Sequence, residues 1–246
     1  LPGRGSGAGV EAGRDRAGGG HEMILLQGVD RIYNAGRPDE CAALKDVDLT
    51  VAAGELVALS GVSGSGKTTL LSLVGALIKP TRGRIEVAGQ SIAKLPDAHA
   101  SRFRHRTVGF IFQHHNLFPE LTVQDNLLAP LVPSQLSSRD EQARIAQALE
   151  QAAIAHKAGQ TVRDLSGGER QRCAIARALV TNPELILCDE PTAHLDQANT
   201  EMFAAILMAL KEAGKTVLMA THDPRLEKLK CVDRVVHLAG GKIVDR

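Results

Sequence analysis

The chain has 246 residues, of which 43% are hydrophobic, 29 are basic and 28 are acidic. This length and apolar fraction suffice for one large domain or two small ones with a buried core, and a formal net charge of +1 gives no reason to expect a nucleic-acid-binding face. The longest nearly apolar run, residues 70–78, is far too short to cross a bilayer.

The first 22 residues differ in composition from the rest of the chain. They are rich in glycine and arginine and contain no apolar stretch, which fits neither a signal peptide nor a packed element. Met23 opens the first apolar run. We therefore expect residues 1–22 to be a disordered or artefactual tail, Met23 to be the biological start, and residues 23–246 to form the folded domain.

Short β-type runs come first in that domain, and helices become frequent after them. A helix is predicted from Thr69, directly after a glycine-rich segment. A mostly helical insert is expected at about 113–165, with an amphipathic helix at 139–155. The predicted strands are 24–33, 44–51, 56–60, 84–88, 107–112, 185–188 and 216–220, and a hairpin closes the chain at 234–244. A helix at 199–213 separates the last two strands, which indicates an α/β core.

The glycine-rich segment at 61–69 reads GVSGSGKTT and fits the phosphate-binding loop pattern G-x-x-x-x-G-K-[ST]. A predicted strand precedes it and a predicted helix follows, which is the context that this motif requires. Backbone N–H groups and the helix N-terminus would surround a polyphosphate. Lys67 would reach the β- and γ-phosphates and Thr68 would ligate Mg²⁺. The alternative is a flexible Gly/Ser turn; the flanking elements favour a nucleoside triphosphate site.

Two carboxylates, Asp189 and Glu190, follow the predicted strand at 185–188. A carboxylate at the C-terminal end of a buried parallel strand faces the ligand crevice of such sheets. Asp189 is therefore expected to hold Mg²⁺, directly or through water, and Glu190 to polarise an attacking water. The alternative is an ordinary acidic pair at a strand end.

A second glycine pair occurs at 165–172, which reads LSGGERQR. Ser166 is predicted as a helix N-cap, and Glu169 follows at the spacing of a capping box. Taken alone, this segment is a capped helix whose start contains two glycines. Together with the loop at Lys67, it gives the chain two helix N-termini suited to anionic oxygen. A triphosphate has one terminal phosphate, so the simplest arrangement places it between two subunits related by a twofold axis.

The motifs GVSGSGKTT, LSGGERQR, LILCDEPT and MATHDP follow one another in an order that resembles the ATP-binding-cassette (ABC) ATPases, from Ile24 to the C-terminus. The resemblance implies an α/β fold: a P-loop NTPase core with a mixed sheet, an N-terminal antiparallel β subdomain and a helical signature subdomain. It implies an ATPase that uses ATP and Mg²⁺, forms a homodimer or a paired cassette, and drives a separate integral-membrane permease. Its implied location is peripheral, at the cytoplasmic face of the inner (plasma) membrane.

The resemblance also assigns roles to individual residues. It implies catalysis by Glu190, His222, Gln113 and Lys67, with His222 as the switch histidine on the γ-phosphate. It implies Mg²⁺ contacts from Thr68, Gln113 and Asp189. The residues that it places on the nucleotide are Tyr33 (against adenine), Gly61, Ser63, Gly64, Ser65, Gly66, Lys67, Thr68, Thr69, the signature residues Ser166, Gly167 and Gly168, and Asp196, which signals across the dimer.

The expected roles of three histidines and of the four cysteines are less well defined. His194 stands where the family pattern has a small or amide-bearing residue, which weakens the expected contacts around Asp196. His114 and His115 lack acidic or cysteine neighbours at ligand spacing, so a polar docking surface is favoured over a metal site. The four cysteines form no C-x-x-C pair, which favours buried thiols in a reducing compartment over a disulfide framework.

Residues 110–127 and 222–226 most resemble the branch that serves lipoprotein release and macrolide export. The alternative within the family is the cell-division type, which transmits force to a membrane partner without moving a substrate. A cassette acting on DNA or the ribosome is disfavoured because coiled coils, tandem cassettes and basic arms are not visible in the sequence. A small-molecule phosphotransferase would not need LSGGERQR.

Overall fold

The computed structural model describes residues 22–193 and 195–244. The expected tail up to residue 21, His194 and residues 245–246 lie outside the described residues, so the expectations for the tail and for His194 remain predictions. Glu22 belongs to the first strand and pairs with Ala52.

Ten strands and seven α-helices make up the described chain. The strands are β1 (Glu22–Tyr33), β2 (Cys41–Ala52), β3 (Leu56–Ser60), β4 (Arg82–Val87), β5 (Gln90–Ser91), β6 (Val108–Ile111), β7 (Leu185–Asp189), β8 (Thr216–Thr221), β9 (Arg234–Ala239) and β10 (Lys242–Val244). The helices are α1 (Lys67–Val74), α2 (Asp97–Thr107), α3 (Val123–Leu128), α4 (Ser138–Gln151), α5 (Gly167–Leu179), α6 (Gln197–Glu212) and α7 (Pro224–Glu227). Short 3₁₀ turns lie at Ala129–Ser134, Ala155–Lys157 and Val162–Asp164.

The strands form two sheets. An antiparallel sheet has the order β2-β1-β4-β5, and a six-stranded sheet has the order β10-β9-β3-β8-β7-β6. In the second sheet β9, β3, β8, β7 and β6 run parallel, whereas β10 pairs antiparallel with β9. The mixed sheet, the N-terminal antiparallel sheet and the helices between β6 and β7 confirm the predicted fold class.

The central strands β3, β7 and β8 are buried on both faces, which explains their continuous apolar sequences. Alternate side chains of these strands enter two separate cores. One core contains Val57, Leu187 and Leu218 and joins α1 to the antiparallel sheet. The other contains Ala58, Ile186 and Met219 and continues into α3, α4, α5 and α6. The mixed sheet therefore separates the antiparallel sheet from the helical region.

The parallel register brings four loops to one edge of the mixed sheet. Ser60 at the end of β3 pairs with Thr221 at the end of β8. Asp189 at the end of β7 pairs with Ala220, and Ile111 at the end of β6 pairs with Cys188. The segments that follow these strands are the glycine loop, Glu190, His222 and Gln113. The candidate residues are thus assembled from distant parts of the chain.

The structure differs from the sequence prediction in several elements. The helices α2, α3 and α7 and the strand β5 were not predicted; α2 lacks a clear apolar stripe because Ala100 and Phe103 are its only buried residues. Helix α4 ends at Gln151 and not at residue 155, since Ala153 adopts a left-handed backbone conformation with φ 51°. Among the described helices, none is long and apolar enough to cross a membrane.

We predict that Phe203→Ala will destabilise the fold by about 3–5 kcal/mol, because it leaves a cavity in the core that joins α6 to the mixed sheet. Phe203 is 1% exposed. The matched control is Met208→Ala on the same helix, which is 47% exposed and should change the unfolding free energy by less than about 0.5 kcal/mol. Urea unfolding measures both variants, and equal midpoints for the two would contradict the described packing of α6.

Candidate active site

The glycine loop joins β3 to α1 and ends in a backbone conformation that only glycine adopts readily. Gly66 has φ 109°, and a Cβ at this position would lie 2.6 Å from the carbonyl oxygen of Ala43. No side chain caps the first turn of α1, which leaves its backbone N–H groups directed at the loop. The hydroxyl of Ser65 is buried and has no hydrogen-bond partner among the described residues. Unpaired donors at a helix N-terminus fit an anionic ligand.

Lys67 lies at the centre of the charged groups. Its ammonium group donates hydrogen bonds to the carbonyl oxygens of Gly61, at 2.6 Å, and Val62, at 3.3 Å. It also lies 3.3 Å from Oε1 of Glu190, and its side chain is only 7% exposed. A phosphate bound in the loop would share this buried ammonium group with the Glu190 carboxylate or displace it.

Glu190 is held between Lys67 and His222. Its Oε2 accepts a hydrogen bond from Nδ1 of His222 at 2.7 Å, so Nε2 of the imidazole is left for a ligand. The backbone of Glu190 is left-handed, with φ 46°, and its N–H donates to the carbonyl oxygen of Ala220 at 2.9 Å. A non-glycine residue in this region stores strain, which is typical of functional sites.

Asp189 and Thr68 form the expected pair. The hydroxyl of Thr68 donates to Oδ1 of Asp189 at 3.0 Å. Burial raises the pKa of Asp189, and the neighbouring Glu190 acts in the same direction, whereas the hydrogen bond from Thr68 opposes them. These are the hard oxygen ligands that Mg²⁺ prefers. Among the described residues, no cluster of three or more His, Cys, Asp or Glu could hold a metal. Two protein oxygens suit Mg²⁺, which usually keeps waters and substrate phosphates as its other ligands.

One cavity of about 700 Å³ brings most of the expected site residues together. The expected residues in its wall are Ser63, Gly64, Ser65, Gly66, Lys67, Thr68, Thr69, Gln113, Glu190 and His222. Gly61 contributes through its carbonyl contact with Lys67. The wall also contains residues that had no signal in the sequence, namely Cys41, Ala42, Ala43, Lys45, Gly240 and Gly241. They come from β2 and from the turn between β9 and β10.

Tyr33 is not among the residues that line this cavity. It ends β1 and pairs with the cavity residue Cys41 in the antiparallel ladder, so it lies beside the wall. The guanidinium carbon of Arg31 lies 4.4 Å from the centroid of its ring, a cation–π contact. The expected contact of Tyr33 with adenine remains a prediction.

The signature residues Ser166, Gly167 and Gly168 also lie outside the cavity wall. They begin α5, where the predicted capping box is present: Ser166 Oγ accepts from the N–H of Glu169 at 3.3 Å, and Glu169 Oε2 accepts from the N–H of Ser166 at 2.8 Å. These hydrogen bonds, supported by Lys157, lower the pKa of Glu169 to about 2. The cap keeps the start of α5 well formed at the surface.

Asn199, which sequence reasoning missed, connects Asp196 to the signature within one chain. Asp196 caps α6 by accepting from the backbone N–H and the side-chain amide of Asn199, at 2.8 and 2.9 Å. The amide oxygen of Asn199 accepts from Arg172 of α5 at 2.9 Å. A Cβ at Gly168 would lie 2.2 Å from this oxygen, so any larger residue there would displace the Asn199 amide. Gly167 has open space around it.

Comparison with known proteins agrees with this geometry. A family model described as ABC transporter matches residues 44–193. The lipoprotein-releasing system ATP-binding protein LolD of Ruegeria sp. (strain TM1040) is 43% identical over 224 residues, covering 91% of this chain and 98% of the relative. The LolD protein of Anaeromyxobacter dehalogenans (strain 2CP-C) is 45% identical over 223 residues, covering 90% and 92%.

A solved structure supports the same assignment. The dimeric, post-hydrolysis form of the ATP-binding cassette MJ0796, bound to ADP and Pi, has a TM-score of 0.84 and 36% identity to this chain. The aligned region covers 91% of this chain and 97% of the solved chain. The family match spans more than half of the sequence, and the relatives align with nearly their whole length. The chain therefore belongs to the ABC transporter family and is the ATP-binding and ATP-hydrolysing subunit of such a transporter.

Proposed function

We propose that the chain powers a lipoprotein-release type of transporter by binding and hydrolysing ATP at the interface of a cassette dimer. The observation that carries this proposal is the cavity that unites the glycine loop with Gln113, Glu190 and His222. The substrate branch is supported by the LolD relatives, which share more than 40% identity with this chain over most of their length.

In the proposed mechanism, Lys67 and the N–H groups at the start of α1 hold the β- and γ-phosphates. Thr68 and Asp189 hold Mg²⁺, which when bound neutralises phosphate charge. Glu190 accepts a proton from the attacking water. His222 keeps Glu190 oriented through Nδ1, and its Nε2, when it carries a proton, would donate to the γ-phosphate. Electrostatic stabilisation by Lys67 and the backbone donors supplies most of the rate gain.

The remaining wall of the site is proposed to come from a second copy. Ser166, Gly167 and Gly168 lie outside the cavity wall of their own chain, yet they form a capped helix N-terminus suited to the γ-phosphate. A twofold axis would place this helix start against the cavity of the partner and create two equivalent sites. Asn199 links Asp196 to the signature, so Asp196 would face the same interface. Gln113 would face this interface from the cavity.

The permease is proposed to dock in a groove of about 440 Å³ between α2, β6 and α5. The groove contains aromatic and proline side chains, and Phe118 at its rim is 55% exposed. Arg104, His105 and Arg177 also line it, which favours a partner segment that combines apolar side chains with acidic ones. Such docking would hold the chain peripherally on its membrane partner.

We place the chain at the cytoplasmic face of the inner membrane. All four cysteines are free thiols, as expected in a reducing compartment. Nucleic acid is not proposed as a partner, because the nearly balanced charge gives no reason to expect a nucleic-acid-binding face.

We predict that Glu190→Gln will lower ATPase turnover by about 10²–10⁴-fold, the usual effect of removing a general base. ATP binding should remain, so the variant should accumulate as an ATP-bound dimer. Size-exclusion chromatography with light scattering measures the dimer, and phosphate release measures turnover. Glu212→Gln, an exposed substitution at the end of α6, is the control and should behave like the parent chain. Normal hydrolysis by Glu190→Gln would remove this residue from its proposed role.

We predict that Gly167→Asp will abolish ATP hydrolysis without lowering the melting temperature, because the position is open within its own chain and the new charge would repel the partner's γ-phosphate. Gly168→Ala should lower the melting temperature, because its Cβ would displace the Asn199 amide from its hydrogen bonds with Asp196 and Arg172. Thermal unfolding and ATPase assays separate the two effects. A fully active Gly167→Asp variant would contradict the proposed dimer site.

We also predict that mixing inactive Lys67→Ala and Gly167→Asp chains will restore hydrolysis. In a mixed dimer one site carries both defects and the other carries neither. A one-to-one mixture should therefore recover about a quarter of the parent rate, if subunits exchange freely and each site acts alone. A site formed within one chain would gain nothing from mixing.

A further inference from the structure

Residues 113–118 connect the nucleotide cavity to the permease groove. Gln113 lines the cavity, whereas Phe112, Asn116 and Phe118 line the groove. The segment is irregular backbone that follows β6 and precedes α3. Side chains of α3 and α5 hydrogen-bond to its backbone.

Arg177 of α5 provides one such contact. Its guanidinium group donates to the carbonyl oxygen of His115 at 2.7 Å and also donates to the carbonyl oxygen of Asn116. Arg177 forms no salt bridge within the described part of the chain. Two backbone carbonyls are thus the observed partners of a half-buried charge, and charge-assisted bonds of this kind are stronger than neutral ones.

Asn126 provides the second contact. It is fully buried, accepts from the N–H of Phe118 at 2.8 Å, and donates to the carbonyl oxygen of Phe118 at 3.0 Å. Asn116, whose carbonyl oxygen accepts from Arg177, has a left-handed backbone with φ 51°. The segment is therefore held in one defined conformation from His115 to Phe118.

We propose that Arg177 is a positioning residue for Gln113. It ties the backbone between groove and cavity to α5, the helix that begins with the signature, so that the groove, Gln113 and the signature respond together when a permease docks. This inference rests on the proposed function, because it assigns a route for the coupling that the function requires. The planar guanidinium reaches two carbonyls at once, which a lysine ammonium cannot reproduce with the same geometry.

The test is a double-mutant cycle between Arg177→Met and Gln113→Ala, with phosphate release as the readout. Arg177→Met should lower kcat about tenfold in the parent chain but less than about twofold in the Gln113→Ala background, because residues that act as a unit are non-additive. The ATP affinity, measured by titration without Mg²⁺, should change less than about twofold, since the glycine loop is untouched. Equal losses of kcat in both backgrounds would overturn the inference.

A second readout does not depend on hydrolysis. In the nucleotide-free protein, Arg177→Met should accelerate amide hydrogen exchange at residues 114–118 and leave β7 and β8 unchanged. The control is Arg144→Met, since Arg144 donates to the carbonyl oxygen of Thr181 in the same helical region and forms no hydrogen bond to the described residues 114–118. Arg177→Lys should give an intermediate exchange rate.

The outcomes of the two readouts separate the inference from the proposed function. If the parent chain does not hydrolyse ATP, the proposed function fails. Unchanged exchange at residues 114–118 in Arg177→Met would then overturn the inference as well. Suppose instead that the parent chain hydrolyses ATP normally while Arg177→Met accelerates exchange throughout the helical region. In that case Arg177 has only a packing role, and the inference fails while the proposed function stands.

Discussion

The register among the parallel strands β3, β7 and β8 determines where Asp189, Glu190 and His222 lie relative to the glycine loop. Because these strands are buried on both faces, a slip of one residue would exchange the side chains of the two cores. The register pairs Ser60 with Thr221 and Asp189 with Ala220 determine where along the strands the following loops begin. The contact between Glu190 and His222, two residues far apart in sequence, follows from that alignment.

The site concentrates features that lower the stability of the fold. Lys67 and Asp189 are charged side chains with little exposure, and the backbone of Glu190 is left-handed. Within the described chain, the buried hydroxyl of Ser65 also lacks a partner. The surrounding cores hold these groups in place, as expected where function opposes stability. Lys67 contacts Glu190 in the free protein, so an incoming phosphate would compete with a carboxylate for the same ammonium group.

Much of the fold was predictable because its signals are local. Apolar runs revealed β3, β7 and β8, and the motif at 61–69 identified the loop between a strand and a helix. Helix α2 was missed since its sequence is mostly polar. The contacts of Asn199 and Arg177 could not be predicted, because they depend on amide and carbonyl groups brought close only by the folded chain. The sequence also could not reveal that Cys41 and Gly241 line the cavity. The family resemblance placed Tyr33 on the adenine, and the folded chain has it beside the cavity wall.

The presence of Cys41 in the cavity wall has a practical consequence for chemical labelling. Its side chain is exposed, whereas Cys173 and Cys188 are buried, and burial raises the pKa of the Cys173 thiol to about 11. Thiols with a raised pKa react slowly, since the thiolate is the nucleophile. Burial also raises the pKa of the partly exposed Cys231. A maleimide dye would therefore attach chiefly to Cys41, and its fluorescence would report directly on occupancy of the neighbouring cavity.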